Sequence, residues 1–379
     1  MLDDKTINQL TVFRKSLHAH PELSGEEHHT QKEIIHFLEE KTVAKIQKVS
    51  GTGVMATFNG TTDGDCILIR GDIDALPIIE INDFDHRSTV DGVSHKCGHD
   101  GHTCILLGLA ILLSKQPISK GKVIVLFQPA EETGMGAQAV LSDPIFKNIT
   151  PDYAFALHNL PGYPRHEIVV KENEFTGNVK SIAILFNGKT AHAAEPEKGY
   201  NPSLAIAELL QYANQITINN PESKEFFLAT AVHVNMGELA YGISAGSGEV
   251  HFTIRSWSTE IMEEKSEALV NYIQKLCTVH QLTSDINWTQ EFAANINDLA
   301  AVNNIRSAAN INGHHITERM FPFKWGEDFG LFTQRFKGAM FGIGAGEETP
   351  ALHNPDYDFP DEILATGINM FYQIIKNLQ

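Results

Sequence analysis

Cys66-Ile67-Leu68-Ile69-Arg70-Gly71-Asp72-Ile73-Asp74-Ala75-Leu76-Pro77 begins as an apolar run and ends in two acids. A short apolar run without polar alternation marks a strand buried on both faces, as in a parallel sheet covered by helices. Acids directly after such a strand sit at its carboxyl end, where open α/β sheets place their chemistry. The signature recurs. The run 122–127 leads into Gln128-Pro129-Ala130-Glu131-Glu132, and the run 153–157 leads into His158-Asn159.

Helical patterns separate these strands. Residues 5–41 read as helix, interrupted at Pro21, and 103–113 as an apolar helix. A strand is expected over 54–58, after the Gly51-Thr52-Gly53 turn. This alternation predicts an α/β fold, a mixed and largely parallel sheet flanked by helices. Near residue 178 the pattern changes to strand–helix–strand–strand–helix–strand, running to about 291. That order predicts an inserted ferredoxin-like α+β domain. Within it the glycine-rich stretch 242–248 reads as loosely ordered. From about 295 two helices, a glycine-rich strand over 339–346 and a terminal helix from Asp361 are expected. The domains expected are therefore 1–177 with 292–379, catalytic and metal-binding, and 178–291, a lid or dimerisation domain.

The totals narrow the function classes. A chain of 379 residues exceeds one ordinary core. A formal net charge of -18 repels nucleic acid and anionic membrane surfaces, so neither is an expected partner. Cys66, Cys97, Cys104 and Cys277 are too few for a disulfide framework. Cys66, Cys104 and Cys277 read as buried core thiols. The acidic start carries no signal-like apolar region, and no apolar run reaches membrane-span length. A cytoplasmic protein is expected.

The densest chemistry is His95-Lys96-Cys97-Gly98-His99-Asp100-Gly101-His102, with three imidazoles, a thiol and a carboxylate in eight residues. Burying such groups uncompensated costs several kcal/mol, roughly, and a metal ion would satisfy them. Cys97 and His99 are expected on one side of an extended strand, converging on one ion or forming one ion pair. Two other readings stay open here: a polar loop with a structural cysteine, and a Cys/His nucleophile pair.

Polar ligand types also follow buried strands or occupy loops at Glu131/Glu132, His158 and His353. Adjacent acids project in different directions, so one can ligate while the other holds the attacking water. Cys97, His99, Glu132, His158 and His353 make five ligands, more than one zinc normally takes, which favours two ions.

Eight ordered motifs carry a family resemblance. They are Leu17-His18-Ala19-His20-Pro21-Glu22-Leu23, Gly71 to Pro77, Cys97 to His102, and Gln128 to Glu132. They continue with Leu157-His158, Ala191-His192-Ala193-Ala194-Glu195-Pro196, Glu327-Asp328-Phe329 and Leu352-His353-Asn354-Pro355. In these the chain resembles the aminoacylase–carboxypeptidase metallo-amidohydrolases. The branch is that of hippurate hydrolases, auxin-conjugate hydrolases and N-acetyl-diaminopimelate deacetylases.

The resemblance implies two divalent ions (zinc, manganese, nickel or cobalt) held by Cys97, His99, Glu132, His158 and His353. Glu131 becomes the general base that activates a metal-bridging water, and Asp74 orients a ligand. His192 steadies the oxyanion, often across a homodimer interface, and Arg255 pairs with the substrate carboxylate. The implied reaction is hydrolysis of an N-acyl or N-aroyl amino acid. A dipeptidase or carboxypeptidase on the same site is the alternative, and a non-catalytic metal-binding protein a third reading. One departure stands out. Relatives carry an Asn-Val-Ile-Pro-like turn where this chain has Gly242-Ile243-Ser244-Ala245-Gly246-Ser247-Gly248, so substrate identity is less constrained than the metal chemistry.

Overall fold

The computed structural model describes residues 1–379. It divides into two compact units. The first comprises Met1–Phe175, Asn295–Met320 and Glu327–Gln379, and the second Thr176–Ala294 with Phe321–Gly326. The return of Phe321–Gly326 to the second unit has no counterpart in the sequence reading. The Gly177 N–H donates to the Phe323 carbonyl at 3.2 Å, which ties the segment there.

The first unit is built on an eight-stranded sheet. Its spatial order is Lys45–Val49, Gly53–Asn59, Lys120–Gln128, Thr62–Asp72, Tyr153–Pro161, Lys337–Gly346, Ile168–Val170, Ile316–Glu318. The four central strands pair in parallel, with Ile69 opposite both Val125 and Phe155, and Phe341 opposite Leu157. Gly53–Asn59 joins one side antiparallel, and Ile168–Val170 the other. Ile67, Leu68 and Ile69 are buried, as a central strand with helices on both faces requires. The helix His99–Lys115 is buried from His99 to Leu113 and apolar all round beyond its polar first turn, so it forms the middle of the core.

Some expectations shift. The first helical stretch is two helices, Asp4–Ala19 and His28–Lys41. Strand Lys45–Val49 was not anticipated, because an edge strand rich in polar residues lacks an apolar run. Cys104 is buried, but Cys66 and Cys277 are only half-buried. Cys66 falls where its strand is still emerging from an exposed start. No helix is long and apolar enough to cross a membrane.

The second unit is a four-stranded antiparallel sheet in the order Phe227–Met236, Ser247–Ser256, Asn178–Asn187, Thr283–Phe292. Val250, Phe252 and Ile254 alternate inward and pack with Leu209, Leu269 and Ile273 of helices Ser203–Ile216 and Thr259–His280. The stretch 242–248 is tied down rather than loose. Ile243–Ser244 pairs with Ala191–His192, and the Gly188 N–H donates to the Gly246 carbonyl at 2.7 Å.

Candidate metal centre

Cys97 and His99 do not share an extended strand. Gly98 turns left-handed (φ +96°) and caps the helix that starts at His99, so the period-two argument fails there. A Cβ at Gly98 would lie 2.6 Å from Asn159 Oδ1, so both conformation and space demand glycine. His158 likewise lies within its strand, Tyr153–Pro161, rather than beyond it.

These elements bring the expected ligand atoms together within the first unit. Cys97, His99 and His158 place ligand atoms within 4.8 Å of one another, as do Cys97, Glu132 and His353, and His99, Glu131 and Glu132. Cys97 Sγ lies 3.5 Å from His158 Nε2. His99 Nε2 lies 3.8 Å from Glu132 Oε1 and 4.0 Å from Glu131 Oε2. His353 Nε2 lies 3.7 Å from Glu132 Oε2.

The imidazoles are oriented from behind. His99 Nδ1 donates to the Asp74 carbonyl at 3.0 Å and its Oδ1 at 3.1 Å, and His158 Nδ1 donates to the Asn159 carbonyl at 2.8 Å. In the neutral ring each Nε2 is thereby left with a lone pair for a metal. The His353 N–H donates to the Lys96 carbonyl at 2.7 Å, linking its loop to the Cys97 loop. Ala130 (φ +53°) and His353 (φ +66°) both hold left-handed conformations unusual for side-chain-bearing residues.

Residues 68–377 match the peptidase family M20/M25/M40. The chain belongs to this family. It is 30% identical over 376 residues to an N-acetylcysteine deacetylase of Bacillus subtilis, covering 99% of this chain and 98% of that one. A second Bacillus subtilis protein, an N-acetyl-L-cysteine deacetylase, is 30% identical over 373 residues, covering 98% of this chain and 88% of that one. Among solved structures, a dinuclear metal-binding M20 peptidase from Bacillus subtilis superposes with a TM-score of 0.84 at 29% identity, covering 99% of both chains.

The donor set of this M20-family hydrolase fits divalent cations. His99 Nε2 and Glu132 Oε1 are buried without any hydrogen-bond partner. Burial, reinforced by Glu132 and Glu131, pushes the Cys97 thiol up. Burial also raises Glu131, with Glu327, Glu132 and Asp328 adding to it. Against the desolvation that lowers it, Asp72, Asp74 and Glu132 raise His99 to about 10. Burial leads the Cys97 and Glu131 shifts, the acids alone raise His99, and in all three the neighbouring negative charge is what a bound cation would offset.

His102 is not part of this set. Its Nδ1 meets Asp72 Oδ1 at 2.5 Å and its Nε2 meets Asn159 Oδ1 at 2.6 Å, so both nitrogens are engaged. Asp100 accepts from His18 Nδ1 at 2.9 Å and from Arg14 at 3.3 Å.

Sequence reasoning missed the support behind the acid pair. The fully buried Arg70 pairs with Asp72 at 2.6 Å, Glu327 at 3.0 Å and Asp328 at 2.7 Å. An arginine inside an apolar strand was the available signal, since a buried guanidinium requires acids around it.

The remaining two predicted residues belong to the second unit. His192 is exposed, and its Nδ1 accepts the Ala194 N–H at 3.0 Å, so the neutral ring carries its proton on Nε2. Arg255 Nη1 donates to the Lys324 carbonyl at 2.9 Å.

Proposed function

We propose that this chain hydrolyses N-acyl amino acids to a carboxylate and a free amino acid. The observation that carries the reading is the unpartnered, buried pair His99 Nε2 and Glu132 Oε1, 3.8 Å apart and ringed by Cys97, His158 and His353. We assign those five residues as ligands of two divalent ions, zinc, manganese, nickel or cobalt. The chemistry such ions supply when bound is polarisation of the scissile carbonyl and acidification of water. The deacetylase names of the Bacillus subtilis relatives support a small acyl group.

Glu131 takes the proton from the attacking water. The water oxygen bonds to the amide carbon, the C–N bond breaks, and the same carboxyl returns the proton to the departing nitrogen. His192, protonated on Nε2, donates a hydrogen bond to the carbonyl oxygen as charge builds there. Arg255 pairs with the substrate carboxylate, for which a planar guanidinium is suited. Asp74 orients His99.

A homodimer or higher homo-oligomer is the assembly we assign. The edge strand Phe227–Met236 exposes Val232, Val234 and Met236, and Leu239 and Tyr241 follow it in the open. An apolar, unpaired strand edge suits pairing with a second copy. Four free thiols suit a reducing cytoplasm.

The test is a panel of N-acetyl and N-benzoyl amino acids and dipeptides, assayed with each of the four metals. Hydrolysis of acyl amino acids, lost on chelation and restored by metal, is expected. Turnover of dipeptides alone would convert the reading to a peptidase. No turnover of any amide by metal-loaded protein would overturn it.

A further inference from the structure

Glu27 is fully buried, yet no lysine or arginine pairs with it. Its partners are neutral donors from three segments. Oε1 accepts the Gly25 N–H at 2.9 Å and the Ala130 N–H at 2.9 Å, and Oε2 accepts the Thr52 hydroxyl at 2.5 Å. A buried carboxylate is costly unless its bonds are strong, and bonds from N–H to a charged acceptor are the strong kind.

The Ala130 bond is the one with consequence for chemistry. Ala130 is held left-handed immediately before Glu131 and Glu132. On the other side of the pair, Asp74 Oδ2 accepts the Glu132 N–H at 3.0 Å. Two buried carboxylates thus grip the backbone on either side of the Ala130–Glu131 step. Were the Ala130 peptide to relax to an ordinary conformation, both glutamates would rotate away from His99.

We propose that Glu27 is a positioning residue that fixes the turn carrying Glu131 and Glu132. The inference rests on reading that pair as base and ligand. Three variants test it, with metal binding to the metal-free protein measured by calorimetry, kcat and KM on an N-acetyl amino acid at saturating metal, and melting temperature.

E27A is expected to weaken metal binding, and to lower kcat, by about 10- to 100-fold with KM nearly unchanged. E27Q keeps an acceptor oxygen for Ala130 and is expected to recover most of both losses. A folded E27A with wild-type metal affinity and kcat overturns the proposal, whatever its melting temperature. Should E27A fail to fold, T52V decides: it strips one bond from Glu27, and a several-fold loss of metal affinity supports the role, whereas wild-type affinity overturns it. If wild-type protein hydrolyses no acyl amino acid while E27A still weakens metal binding, the proposed reaction falls and the positioning role stands.

Discussion

The carboxylate of Asp74 lies 3.1 Å from His99 Nδ1 through one oxygen and accepts the Glu132 N–H at 3.0 Å through the other. One buried side chain therefore orients two assigned ligands from different elements. Ser24 donates to the same Oδ2 at 2.6 Å, which keeps the carboxylate from turning. Asp74→Ala leaves the His99 ring held only by the main-chain carbonyl of residue 74 and frees the Glu132 N–H. Metal affinity is expected to fall about 10- to 100-fold, the usual cost of losing such an outer partner, as read by competition with a chromogenic chelator. Asp74→Asn gives a smaller loss in the same direction, because its one amide oxygen can serve only one of the two N–H groups.

Glu131 sits 4.0 Å from His99 Nε2 and is buried beside Glu327 and Asp328. Glu131→Gln preserves the volume and removes the proton acceptor. It is expected to lower kcat by about 10²- to 10⁴-fold, the usual worth of a general base, while KM stays within a few-fold. Metal content, measured by elemental analysis, should remain at the wild-type level. A parallel loss of metal would instead make Glu131 a ligand.

The sequence disclosed the sheet where the physics is one-dimensional. Runs such as 66–70 and 122–127 have no polar alternation, and only a doubly covered strand tolerates that. The second unit was legible for the same reason, through the alternation of Val250, Phe252 and Ile254. What stayed hidden was local backbone geometry and contacts between distant segments. Gly98 breaks the strand between Cys97 and His99, and glycine alone does not announce whether it will turn left-handed. Glu27 and Ala130 are 103 residues apart, and no periodicity links them. Arg70 announced that it needed acids but not which ones.

Arg70 is the one guanidinium among Asp72, Glu327 and Asp328, and its Nε also donates to Gln128 Oε1 at 3.0 Å. Arg70→Met leaves Glu327 and Asp328 buried without their ion-pair partner, and Asp72 with only its imidazole neighbours. Removing one partner of a buried ionic cluster costs about 3–5 kcal/mol, so a large loss of unfolding free energy is expected in denaturant melts. Arg70→Lys should recover little, since a point charge cannot address acids on several sides of a planar fork. A Lys variant as stable as wild type would show that net charge alone, not geometry, is what the cluster needs.

His18 gives stability a pH dependence of known sign. Its ring is buried between Asp100 at 2.9 Å and Glu80 at 3.0 Å. Desolvation lowers its pKa, but the hydrogen bonds to these two carboxylates overcome that and raise it to about 9. The unfolded chain has the ordinary value of about 6.5. The folded form therefore binds the proton more tightly. The added stability is fully present below about pH 6.5 and disappears as pH rises through about 9, a change of order 3 kcal/mol. His18→Gln removes the titrating group. The wild-type advantage over this variant in urea melts should be largest near pH 6, shrink steadily above pH 7, and level off by about pH 10. An advantage that stays constant across that range would mean His18 contributes by packing and neutral hydrogen bonds, with its proton equally bound in the folded and unfolded chains.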